Sequence, residues 1–101
     1  MIVSMFDPTR DADDESLAMQ LVEHLGEFQG RAVRTIPMFI HAGEWAQVGI
    51  EALCQAIRTQ QPMPRHLVRA ATSRWKDQMG GITARNILAH VPTLDRELVS
   101  A

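Results

Sequence analysis

At 101 residues, 46% hydrophobic and 22% charged, the chain has the length of one domain and enough apolar side chains to bury a core unaided. Its formal charge of −2 offers no overall pull towards nucleic acid, and its single cysteine, Cys54, excludes an internal disulfide. No basic stretch precedes the apolar start "MIVSMF", and no uncharged run is longer than Thr35 to Gly43, well short of the ~20 apolar residues of a membrane span. The expectation is one soluble, cytoplasmic helical domain over residues 1–101, without a secretory signal or membrane anchor.

Glycine and proline cut the sequence into short helical pieces. The first helix is expected after "DADDE", whose carboxylates suit the positive end of a helix dipole. Leu17, Leu21, Leu25 and Phe28 then recur on one face, with Val22 beside them and Gly30 as the stop. "RAVRTIPMFIHAGEW" reads as a short helix entered at Pro37 with Thr35 as its cap. Its Val33 and Ile36 would suit a strand equally well, so a minor two-stranded ribbon from residues 2–6 and 32–36 is an alternative. Met38, Phe39 and Ile40 belong either to the core or to a second exposed patch.

Residues 44–60 give the clearest helix. On a wheel of about 100° per residue, Trp45, Val48, Ile50, Ala52, Leu53, Cys54, Ala56 and Ile57 sweep over half the circumference. Glu44, Gln47, Glu51, Gln55 and Arg58 are left as a narrow polar strip. A helix this apolar packs on more than one side and is expected at the centre of the bundle.

"PMPRHLVRAATSRWK" follows, with Pro64 suited to the first helical position. Leu67, Ala71, Trp75 and Met79, widened by Val68, make an inward stripe. Arg65, Arg69, Thr72 and Lys76 fall on the opposite arc and should face solvent. Gly80 and Gly81 are expected to end this helix in a left-handed cap. Thr83 would start a short helix bearing Ala84, Ile87, Leu88 and Val91, stopped by Pro92, and "TLDRELVSA" would form a last half-helix. The fold class is therefore all-α: a bundle of about five short helices.

The net charge conceals a segregation. Residues 1–30 hold seven acids against Arg10, a balance of −6, whereas residues 53–101 hold seven bases against three acids, a balance of +4. Such a division marks a partner-binding face, unless the acidic first helix packs on the basic later ones and neutralises them.

Motifs of catalysis are missing from the sequence. His24, His41, His66 and His90 are 17, 25 and 24 residues apart, without the close pair that seats two ligands on one helix face, so no metal is expected. His41 and Glu44 make only an isolated H-x-x-E. Cys54 sits in an apolar run where packing keeps a thiol protonated, and no nucleophile elbow is present. The carboxylates of "DADDE" complement a helix dipole, and "GGITAR" reads as a helix stop followed by a helix start rather than a phosphate loop. No cofactor and no enzymatic activity are expected.

What remains is the basic helix. Arg65, Arg69 and Lys76, with Arg58 and Arg85, are the expected partner-binding residues. Arginine in nine of ten basic positions favours forked pairing with carboxylates, and Met63 and Trp75 add interface-type side chains. The leading expectation is a protein-binding module docking on a larger host complex, in the manner of a small inhibitor or accessory protein of a phage or mobile element. The second reading is a helix-turn-helix-like DNA-binding regulator, with Arg65, His66 and Arg69 early in a recognition helix. Gln60, Gln61 and two prolines at the turn, Asp77 and the acidic first helix argue against it.

Overall fold

The computed structural model describes residues 8 to 94. These form six helices, α1 Pro8–Glu23, α2 Ala32–Ala42, α3 Trp45–Thr59, α4 Arg65–Arg74, α5 Lys76–Met79 and α6 Gly81–His90. Two short strands, β1 Met63–Pro64 and β2 Thr93–Leu94, complete them. The all-α architecture is the one expected from the apolar spacing. No helix among the described residues is long and apolar enough to cross a membrane.

The acidic helix starts earlier than its apolar stripe suggested. Pro8 takes the first helical position, where its missing N–H costs nothing, so Asp11, Asp13 and Asp14 lie inside α1 rather than before it. It also stops well before Gly30. The N–H groups of His24 and Leu25 bond the carbonyls of Leu21 and Val22 at 3.1 and 3.0 Å, tightening the last turn. Leu17, Ala18, Leu21 and Leu25 are buried.

Residues 32–36, the proposed second strand of a ribbon, are instead the first half of α2, and residues 2–6 lie outside the described residues. Ala32 and Ile36 are buried one turn apart, with Phe39 and Ile40 packed against the core, a period that only a helix satisfies. Pro37 lies within this helix rather than at its start. The bond it forfeits would go to the carbonyl of Val33, on a face where both residues are exposed and water can replace the donor. Thr35 is not a cap; its hydroxyl reaches the carbonyl of Arg31 at 3.1 Å and Glu51 Oε1 at 3.2 Å. Among the described residues the strand pairing joins β1 to β2 in parallel, Met63 opposite Thr93 and Pro64 opposite Leu94. The expected half-helix after Pro92 therefore begins as strand, and its remainder lies outside the described residues.

Helix α3 is central, as its wide apolar sweep requires, and packs against α1, α2, α4 and α6. Two members of its polar strip are nevertheless buried. The α1–α2 connection crosses the strip, and its backbone groups need partners away from water. The Gln55 amide supplies two: its Oε1 accepts from the N–H of Gln29 at 2.9 Å, and its Nε2 donates to the carbonyl of Glu27 at 3.2 Å. Glu51 accepts from Nε and Nη2 of Arg31, both at 3.2 Å.

The expected single helix over residues 64–79 is two. Pro64 is extended and belongs to β1, α4 runs to Arg74, and at Trp75 the backbone (φ −107°, ψ 19°) leaves the helical range before α5 begins. Trp75 itself points inward as expected and is fully buried. Its ring lies on Gly49 of α3, where an added Cβ would run into ring atoms Cζ3 and Cη2. Its Nε1–H donates to Asp14 Oδ1 at 3.0 Å, and Arg74 Nε donates to the same oxygen. Thr72, placed on the outer arc by its spacing, is buried, its hydroxyl turned back towards the carbonyls of Val68 and Arg69. Gly80 (φ 86°, ψ 154°) joins α5 to α6 in an extended conformation, not the left-handed helical cap anticipated. Gly81, rather than Thr83, opens α6.

Two stability predictions follow from the seat of Trp75. Helix propensity alone would make Gly49→Ala stabilising by about 1 kcal/mol. Overpacking against the indole opposes it by about 1–3 kcal/mol, so urea unfolding should show a net loss. Asp14→Ala leaves a buried indole N–H without its acceptor and should cost about 1–3 kcal/mol in the same assay, with a change in tryptophan fluorescence of the folded protein.

Candidate functional site

Helices α4 and α5 form one wall, and α6 the other, of a groove of about 830 Å³. The parallel pairing of β1 with β2, with Met63 N–H on the carbonyl of Pro92 at 2.9 Å, ties the start of α4 to the end of α6. That tie sets the two walls side by side, and Thr93 lines the groove where they meet.

Four of the five residues expected to bind a partner line this groove: Arg65, Arg69, Lys76 and Arg85. The fifth, Arg58, is exposed in the last turn of α3 and lies outside it. Arg65 and Arg69 are one helical turn apart on α4, Lys76 opens α5, and Arg85 stands on α6. All four are exposed. No Asp or Glu is among the described residues that line it, and Arg69, Lys76 and Arg85 form no salt bridge to a described residue. Arg74, from the same basic run, is withdrawn from this set: it turns towards α1 and pairs with Asp14.

Between the cations the lining mixes apolar side chains with the hydroxyl residues Thr72, Ser73 and Thr93. Val68, Ala84 and Val91 are buried and make its floor, and Leu88 and Ala89 of α6 are exposed beside them. Leu88, expected in the core stripe of the last helix, is 49% exposed. The reason is packing: α6 buries Ala84 and Ile87 against the rest of the bundle, and the next residue round the helix falls over the opening. Neither the groove nor the role of Leu88 was available from helical wheels, because both depend on how two helices sit together. The only signal in the sequence was an apolar residue one turn from Arg85 on a short helix.

The other candidates are not brought together. His24, His41, His66 and His90 are all exposed, and no group of three His, Cys, Asp or Glu side chains that could hold a metal ion occurs among the described residues. Asp14 is committed to Trp75 and Arg74. "GGITAR" is a helix stop and a helix start, as its spacing suggested. Cys54 is half-buried rather than fully enclosed. Burial pushes its thiol pKa up, the Glu51 carboxylate adds to this, and Arg58 and Arg31 oppose it.

At neutral pH the reactive thiolate of Cys54 is therefore scarcer than that of a free cysteine. Alkylation by iodoacetamide should be slower than for a model thiol, should accelerate as pH rises, and should approach the model rate in urea. No protein-family model, curated protein or solved structure compared with this chain matches it.

Proposed function

We propose that this chain is a non-enzymatic binding module that receives a protein partner in the groove between α4 and α6. One observation carries the reading: cations on both walls converge on a concave surface with apolar side chains in its floor and no acid among its described lining residues. Protein interfaces combine these features, with arginine and apolar side chains inside a charged rim. A helix that reads DNA must project into the major groove of the duplex. Here the cations border a cleft made to be entered. The acids of α1 and the net charge of −2 also oppose a polyanion.

Exposed ion pairs contribute only about 0.2–1 kcal/mol each. Their main effects are on steering and on rejection of wrong partners, with the apolar floor supplying contact area. A small chain of this kind would act by occupying a site on a larger complex, as an inhibitor or accessory protein of a mobile element does. Such a role fits the cytoplasm, where Cys54 stays reduced.

Capture from host lysate by the wild-type chain, by Arg58→Glu and by the double variant Arg69→Glu, Arg85→Glu tests the proposal. The same partner should be retained by the first two, and its affinity for the double variant should fall at least about tenfold. Equal capture by all three would remove the groove from the interface. Retardation of unrelated duplexes, steeply weakened by salt and lost in the double variant, would instead support DNA binding.

A further inference from the structure

Resting on that reading of the groove, we infer that its occupant is a short acidic segment of the partner, carrying one large apolar side chain between carboxylates. The charge it must match is set by Arg69, Lys76 and Arg85, which no described acid neutralises, with Arg65 at the same surface. Arg69 and Arg85 offer planar forks whose two parallel N–H donors fit a carboxylate. Elsewhere in the fold arginines meet carboxylates: Arg31 pairs with Glu51 and Arg74 with Asp14. Arg69, Lys76 and Arg85 have no counterpart of that kind among the described residues.

The apolar requirement comes from the floor. Leu88 is 49% exposed between Arg85 and the β2 end, with Val68 and Val91 beneath the opening. A chain of carboxylates alone would strip water from these side chains without replacing it by apolar contact. A single apolar anchor covers them while its acidic neighbours reach the walls.

The occupant is also bounded in length. Helix α6 has 10 residues, so its wall is about 15 Å long, the span of some four or five extended residues. Beyond the ridge of α4, on its α1 side, Asp13 lines a neighbouring cleft that shares Ser73 with the groove. A longer polyanion crossing that ridge would meet the acids of α1, whereas a short segment ends before them.

The test is a titration of the isotope-labelled full chain, followed by amide chemical shifts. The probe is a peptide of about ten residues with a central leucine flanked by glutamates. Control peptides replace the glutamates by glutamine or the leucine by serine, and a short DNA duplex is a third control. Saturable shifts confined to α4, α5, α6 and β2 are expected. Either control peptide, and the Arg69→Gln, Arg85→Gln protein, should bind about tenfold or more weakly, a difference of about 1.4 kcal/mol. Leu88→Ser should weaken the leucine peptide and leave the serine peptide unchanged. The inference is overturned if the glutamine peptide binds as well as the acidic one, if shifts fall outside the groove, or if the duplex binds more tightly than the peptide. No peptide binding, with lysate capture still dependent on Arg69 and Arg85, would refute the acidic segment and leave the docking groove standing. Capture indifferent to both arginines would refute the docking groove itself.

Discussion

The ring of Trp75 rests against the bare backbone of Gly49, and its N–H ends on Asp14, so one side chain is held by α3 and α1 together. Because the indole is fully buried, α4 has little freedom to rotate about its own axis. Rotation would expose a large aromatic surface and break the only hydrogen bond that an indole can donate. With the tryptophan fixed inward, Arg65 and Arg69 are left on the exposed side of α4. The orientation of the basic wall thus follows from a glycine on one helix and a carboxylate on another.

The acidic opening and the basic second half partly cancel each other. Asp14 takes up Arg74, and in doing so moves one cation from the exposed set into the support of Trp75. Arg31 and Glu51 make a second pair, between the α1–α2 connection and α3. Among the described residues neutralisation does not reach Arg69, Lys76 and Arg85, which lie on the α6 side of α4, whereas α1 lies on the other. A separation of charge along the chain therefore becomes a separation across one helix.

Much of the fold was legible because apolar spacing has a physical period. Leu17 and Leu21 marked the buried face of α1, and the breadth of the apolar sweep in α3 required several neighbours. Spacing misled where local and tertiary demands diverged. Gln55 and Glu51 looked like solvent-facing residues, yet a crossing segment with backbone groups to satisfy turned them into buried partners. Pro37 looked like a helix start, but the bond it forfeits faces water, so the helix continues through it. Thr72 lay on the outer arc by angle alone, and its hydroxyl could be buried because the carbonyl of Val68 accepts it.

By itself, the sequence determined the all-α class, the inward stripe of α4 and the exposure of Arg65, Arg69, Lys76 and Arg85. Each of these follows from the period of a helix and the cost of burying a charge. Tertiary structure alone decided that Arg85, from a separate helix, stands with the other three across one groove while Arg58 does not. It also decided that Leu88 belongs to the opening rather than the core. A helical wheel describes one helix about its own axis; a groove is a relation between two axes, here fixed by the β1–β2 pairing and the seat of Trp75.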